Sequence, residues 1–207
     1  MSDNTRAKFA PLEAHINLDS IYCPPRRLSS DHGEYHIFFI TGNPGLIAYY
    51  HKFLASLSNL FNEDQDISNG VNGVHIYGHS LGGFNTTAEE ETKVAPYGLQ
   101  QQIDYVETTL ESYVRAQNSI RKSQQAIETS SQRPLKVILV GHSVGAYILL
   151  EVLRRSRKQL SLGGETGMEV VGGVLLFPTI THIAKSPSGL KLGVWLASVC
   201  SVVAQAH

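Results

Sequence analysis

Short aliphatic runs alternate along this chain with stretches whose apolar residues recur every three or four positions. His36 to Ile40 is a β-branched and aromatic run closed by Gly42, the pattern of a buried strand. Tyr49, Phe53, Leu57, Leu60 and Phe61 come next at helical spacing. Val74 to Tyr77 predicts a second strand, closed by Gly78. From Leu99, apolar positions recur at Ile103, Val106, Leu110 and Val114, which predicts a helix. Leu135 to Val140 is the clearest strand and ends at Gly141. Ala146, Leu149, Leu150 and Leu153 mark the next helix. Arg154, Arg155, Arg157 and Lys158 lie towards its C-terminal end, where cations suit the helix dipole. Val170 to Phe177 reads as a last strand, stopped by Pro178.

Three polar regions interrupt this order. Residues 1–34 are broken by Pro11, Pro24 and Pro25 and read as an extended lead-in with edge strands. Residues 84–98 read as a loop or insertion. Residues 116–134, rich in Ser, Gln and Arg, prolong the preceding helix and then pass into a solvated loop. Strands alternating with amphipathic helices predict an α/β fold around a mostly parallel sheet flanked by helices. The expected organisation is a lead-in (1–34), an α/β core (35–189) and an apolar C-terminal segment (190–207).

Composition narrows the function classes. The 207 residues suit one domain, and 42% of them are hydrophobic, enough for a buried core. Lys and Arg number 17 against 18 Asp and Glu, a net charge of -1 that gives no basic stripe for nucleic acid. Cys23 and Cys200, the two cysteines, cannot build a disulfide framework or a four-thiolate zinc site. The N-terminal stretch lacks the apolar centre of a secretory signal, and no run reaches the ~20 apolar residues of a membrane span. With no H-x-x-H pair, P-loop or G-x-G-x-x-G, neither a metal nor an organic cofactor is expected.

Candidate chemistry rests on G-x-S-x-G, which occurs twice: Gly78-His-Ser80-Leu-Gly82 and Gly141-His-Ser143-Val-Gly145. The motif places a serine on a tight strand-to-helix turn, and its glycines let strand, helix and backbone approach closely. Ser143 follows four consecutive aliphatics and leads into Ala146-Tyr-Ile-Leu-Leu150, the context the turn requires. Ser80 is followed by Gly83-Phe-Asn-Thr-Thr-Ala-Glu, which has no apolar helical face, so it reads as a glycine-rich turn at a strand end. Acyl transfer also needs about two fixed N–H donors for the developing oxyanion. Thr41-Gly42-Asn43-Pro44-Gly45, directly after the first strong strand, is placed to supply one. Pro44 has no N–H. The expected donors are therefore the amides of Asn43 and Val144, with Gly42, Gly45, Gly141 and Gly145 as the glycines that permit the geometry. Asn-Pro-Gly is also ordinary turn chemistry.

Three segments together carry a family resemblance. Phe38-Phe-Ile-Thr-Gly-Asn-Pro-Gly-Leu46, Val140-Gly-His-Ser-Val-Gly-Ala-Tyr147 and Leu176-Phe-Pro-Thr-Ile180 resemble the lipid droplet-associated hydrolase family. The resemblance implies an α/β-hydrolase fold and a serine esterase site with Ser143 as nucleophile. It also implies association with lipid droplets and the endoplasmic reticulum on their cytosolic face, and a sterol-ester or acylglycerol substrate. The order of a complete triad would be Ser, then Asp, then His.

The chain departs from that order. The last of its six aspartates is Asp104, so none follows Ser143; the later acids are Glu151, Glu165 and Glu169, and the later histidines are His182 and His207. The expectation is a fold incomplete at its C-terminus, before the triad acid and base. Two functions stay open: a serine hydrolase of neutral lipid esters, involved in lipid storage, and a non-catalytic lipid-droplet protein that keeps the fold. A thioesterase or general carboxylesterase of the same fold is a weaker third. Leu190 to Ala204, with Trp195 and a flanking Lys191, reads either as a lid helix or as a segment lying in a lipid interface.

Overall fold

The computed structural model describes residues 14–26, 34–63, 73–84, 97–124, 133–161 and 167–179. Among the described residues there are six strands: β1 (His15–Ile16), β2 (Ser20–Cys23), β3 (Tyr35–Ile40), β4 (Val74–His79), β5 (Leu135–His142) and β6 (Met168–Leu176). A 3-10 turn, Ile47–Tyr50, leads into helix α1 (His51–Glu63); α2 spans Leu99–Gln124 and α3 spans Val144–Ser161. The sheet order is β1-β2-β4-β3-β5-β6. The pairs β4–β3, β3–β5 and β5–β6 are parallel, while β1 and β2 pair antiparallel at one edge. This is the mostly parallel α/β sheet flanked by helices that the pattern predicted, with the segment around Ser20–Cys23 drawn into it as strands.

The period-two alternation of the central strands builds two cores. Phe38, Ile40, Val137 and Leu139 point to one face and pack with Ile103, Val106, Leu110 and Val114 of α2 and Ile148, Leu149 and Val152 of α3. Ile37, Phe39, Ile76 and Val140 point to the other face and pack with Leu54 of α1. A strand buried on both faces reads as a continuous apolar run, which is why β3 and β5 stood out. Arg155 of α3 clips the two helices of the first face together, its Nη1 lying 2.7 Å from both Asp104 Oδ1 and Glu107 Oε2.

The apolar face predicted for α1 needs correction. Leu54 is fully buried, while Tyr49, Phe53 and Leu60 are 71%, 47% and 62% exposed. Spacing counted from Tyr49 assumed one continuous α-helix. The 3-10 turn sets Tyr49 apart from α1, and within α1 the sheet-facing arc runs through Leu54, Leu57, Ser58 and Phe61, with Phe53 and Leu60 outside it.

Burial pushes the pKa of His36 down to about 2 and that of Tyr77 up to about 12. Among the described residues no helix is long and apolar enough to cross a membrane.

Candidate active site

Ile40 and Gly141 are register partners in the parallel pair β3–β5. The turns beyond them therefore leave the sheet side by side at its C-terminal edge, where α/β folds place their sites. Thr41 to Gly45 leaves β3, and His142-Ser143-Val144 leaves β5.

Ser143 has φ +53, in the left-handed region that side-chain-bearing residues rarely occupy. Its N–H donates to Leu176 O at 2.9 Å, and its carbonyl accepts from Ala146 N at 3.0 Å and from Thr179 N at 3.2 Å. The sharp turn is thus pinned on one side by the start of α3 and on the other by the chain leaving β6. Close packing forces the neighbouring glycines. A Cβ on Gly141 would lie 2.5 Å from Gly145 O, and one on Gly145 would lie 2.5 Å from both Ile40 O and Thr41 O. A Cβ on Gly42 would lie 2.8 Å from Ser143 Cβ, so the two turns are in direct contact. Gly45, at φ +91, packs where a Cβ would meet the Phe84 ring at 2.8 Å.

The backbone amides of residues 42–45 differ in their engagement. Gly42 N–H donates to Tyr50 Oη at 3.2 Å. Gly45 N–H donates to Gly42 O at 2.7 Å. Pro44, joined to Asn43 by a cis peptide bond, has none. Asn43 is exposed, and no hydrogen bond engages its amide within this turn. Val144 opens α3, and the first amides of a helix have no partner within it. Both amides expected as oxyanion donors thus belong to the two touching turns. Tyr50 ties these turns further, since its Oη also lies 2.9 Å from His142 Nδ1.

Thr179 is the neighbour that sequence reasoning passed over. Its Oγ1 lies 3.1 Å from Ser143 Oγ. It belongs to the Phe-Pro-Thr segment that carries part of the family resemblance, but its proximity to the serine has no signal in the sequence.

Ser80 occupies a different environment. It is 1% exposed and lacks the positive φ of Ser143. Its Oγ accepts from Ile47 N at 3.1 Å, and its own N–H donates to Asp19 O at 2.9 Å. Gly82 exchanges hydrogen bonds with the Gln102 amide at 2.9 and 2.8 Å. The second G-H-S-L-G is a buried structural turn that fixes the chain leaving the Thr41–Gly45 turn. Ser80→Ala would leave the Ile47 N–H buried without an acceptor, an expected loss of about 1–3 kcal/mol. Urea unfolding, with a lower midpoint and unchanged slope, checks it.

Of the acids after Ser143, Glu151 lies on α3 with Oε2 2.9 Å from Arg154 Nη2. Glu169 lies in β6 as the register partner of Lys136, far along the strand from the elbow. Glu165, His182, His207 and the apolar segment 190–207 lie outside the described residues.

The strain at Ser143 has a stability consequence. Glycine accepts positive φ at no steric cost, whereas alanine does not. Ser143→Gly is therefore expected to be about 1 kcal/mol more stable than Ser143→Ala. Denaturant midpoints compared between the two variants check it, and equal midpoints would contradict a strained elbow.

Comparison with known proteins adds the family. A family model described as lipid-droplet associated hydrolase matches residues 33–206. The chain is 29% identical over 156 residues to a lipid droplet-associated hydrolase of Pongo abelii, covering 74% of this chain and 40% of that protein. It is 26% identical over 190 residues to one of Drosophila melanogaster, covering 86% of this chain and 50% of that protein. The chain thus spans between two fifths and half of these relatives' length. Among solved structures, a putative hydrolase from Agrobacterium vitis aligns at TM-score 0.43 and 17% identity over 82% of this chain and 53% of that one. With a family match that extends from the start of β3 through nearly the whole remaining sequence, the chain belongs to the lipid-droplet associated hydrolase family.

Proposed function

We propose that this protein carries the nucleophile half of a serine hydrolase site for carboxylic esters of neutral lipids, sterol esters or acylglycerols, in lipid storage. The observation that carries this reading is Ser143 at φ +53 in contact with the Thr41–Gly45 turn. Ser143 Oγ attacks the ester carbonyl, and a base takes its proton. The amides of Asn43 and Val144 receive the negative oxygen of the tetrahedral intermediate. The alcohol then leaves with the proton, and water hydrolyses the acyl-serine. Thr179 Oγ1 orients the attacking hydroxyl in the resting site. Base and acid come from outside the described residues, His182 and His207 being the later histidines of the sequence.

The second reading is a lipid-droplet protein that keeps the fold without turnover. It is favoured by Glu151 and Glu169, which are engaged elsewhere, Glu151 with Arg154 and Glu169 as the register partner of Lys136. Release of fatty acid from emulsified triacylglycerol and sterol ester separates the two. The first reading expects release that Ser143→Ala removes. Release at the same rate from Ser143→Ala would exclude it.

The site of action in this proposal is the cytosolic face of lipid droplets and the endoplasmic reticulum, reached through residues 190–206. The support is compositional: an apolar segment with Trp195 and no acidic residue. Burying Leu196 or Val199 in lipid contributes roughly 1.5–3 kcal/mol each. Replacing Trp195, Leu196 and Val199 by Ser is expected to move a fluorescent fusion from droplets to cytosol. Retention on droplets with unchanged circular dichroism would place the contact elsewhere.

A further inference from the structure

Tyr50 stands outside both glycine motifs, yet its hydroxyl joins the two turns of the site. It closes the 3-10 turn Ile47–Tyr50, and its half-buried ring packs on the second core, 4.8 Å between centroids from Phe39. On one side Gly42 N–H donates to Tyr50 Oη at 3.2 Å. On the other, His142 Nδ1 lies 2.9 Å from the same oxygen. Gly42 immediately precedes Asn43, whose amide is an expected oxyanion donor, and His142 immediately precedes Ser143. One hydroxyl thus bridges the residue before the donor and the residue before the nucleophile.

The direction of both bonds follows from what each group can do. A backbone N–H only donates, so Tyr50 Oη accepts from Gly42 and its own proton is left for His142 Nδ1. A neutral imidazole that accepts at Nδ1 carries its proton on Nε2. His142 has little room to turn away. Its ring stands edge-on to Tyr50, with centroids 5.5 Å apart and planes at 61°, and edge-on to Phe177 at 6.0 Å and 69°. Gly42 closes a third side, where a Cβ would lie 2.8 Å from His142 Nδ1.

We propose that Tyr50 is a positioning residue of the hydrolase site. Through the relay from Gly42 N–H to Tyr50 O–H to His142 Nδ1, it holds the Asn43 amide in place relative to Ser143. The proposal rests on the reading of Ser143 as nucleophile, and the hydroxyl itself touches no reacting atom. The other hydrogen bonds of the turn hold it elsewhere. Thr41 Oγ1 donates to Gly45 O at 3.3 Å and Gly45 N–H donates to Gly42 O at 2.7 Å, both within the turn. Leu81 N–H donates to Gly45 O at 2.8 Å and anchors its far end. Among the described residues, Tyr50 is the side chain whose hydrogen bonds join this turn to the elbow. An oxyanion donor acts because it is aimed before the reaction starts, and a displacement of about 1 Å can cost ~10²-fold in rate.

The test follows fluorophosphonate capture of Ser143 in the full 207-residue chain, read as a limiting rate and a half-saturating probe concentration. Tyr50→Phe keeps the ring and removes the bridge. Its limiting rate is expected to be about tenfold lower, with half-saturation and circular dichroism unchanged. His142→Ala is expected to lose about the same, and His142→Asn, whose Oδ1 can accept in place of Nδ1, to recover most of it. Both changes break one relay, so Tyr50→Phe combined with His142→Ala should be about tenfold slower and not a hundredfold. In ¹⁵N-resolved NMR spectra His142 should carry its proton on Nε2 in the unaltered chain and populate both tautomers in Tyr50→Phe. A proton on Nδ1 in the unaltered chain would overturn the relay. Capture of Ser143 at the unaltered rate in Tyr50→Phe, or additive losses in the double variant, would overturn the positioning role and leave the nucleophile assignment standing. No capture of Ser143 in the unaltered chain would overturn the nucleophile assignment, and the positioning role with it.

Discussion

Ser143→Ala is expected to lower ester-cleaving kcat by about 10⁶-fold wherever a base and acid complete the site, while Ser80→Ala leaves most of it. The difference arises from where the two serines sit. Ser143 stands at the sheet's C-terminal edge in a left-handed turn, with its hydroxyl beside Thr179. Ser80 is sealed in the core and engaged by the Ile47 amide. Triad members act as a unit, so loss of the nucleophile costs about as much as loss of all three, and the oxyanion donors alone still give ~10³–10⁴ over water. The same reasoning sets the expectation for the 207-residue chain on its own, in which no aspartate follows Ser143: little turnover. Hydrolysis of a p-nitrophenyl ester at ordinary rates, lost in Ser143→Ala, would assign the base to His182 or His207.

Gly145→Ala is expected to destabilise the fold by about 3 kcal/mol or more, and Gly141→Ala by a similar amount. A methyl on Gly145 would sit 2.5 Å from the carbonyl oxygens of Ile40 and Thr41, and one on Gly141 would sit 2.5 Å from Gly145 O. All of these neighbours are backbone, so no side-chain rotation relieves the overlap. Helix propensity works in the other direction, since Ala at a helical position gains up to about 1 kcal/mol over Gly, and it is outweighed. Total stabilities of about 5–15 kcal/mol make this a large fraction of the whole. Gly172 provides the contrast: nothing lies within 4 Å of its would-be Cβ, and Gly172→Ala should be neutral or slightly stabilising. Urea midpoints of the three variants check the series. A Gly145→Ala chain as stable as Gly172→Ala would mean that α3 does not pack closely against the end of β3.

How much of the fold and site is legible in the sequence depends on whether the signal is local. β3 and β5 announce themselves because both their faces are buried, and Ile103, Val106, Leu110 and Val114 of α2 are all buried at the predicted spacing. The elbow glycines are legible because strand, turn and helix are contiguous in sequence. The burial phase of α1 is not, because Phe53, Leu57, Leu60 and Phe61 cover a wider arc than the face that packs on the sheet, and only the assembled fold selects Leu57 and Phe61 beside Leu54. The second G-x-S-x-G is legible as a turn, but the partners of its serine are not. Ser80 meets Ile47 and Asp19 only after β2, β3 and β4 have assembled. The lead-in pattern of residues 1–34 predicts edge strands but not that Ile21 and Tyr22 are buried against β4. The stacked pair of His36 and His75 is not legible either, because the two residues are separated in sequence and become neighbours through parallel pairing alone. Thr179 reaches Ser143 in the same non-local way, through the pairing of β5 with β6.

Ser143 is the nucleophile in this mechanism, and covalent capture tests that assignment most directly. The protein is treated with a fluorophosphonate, digested, and the modified peptide located by mass spectrometry. An adduct on the peptide that contains Ser143, absent after Ser143→Ala and retained after Ser80→Ala, is the predicted result. An adduct on Ser80, or capture that persists undiminished in Ser143→Ala, would contradict it.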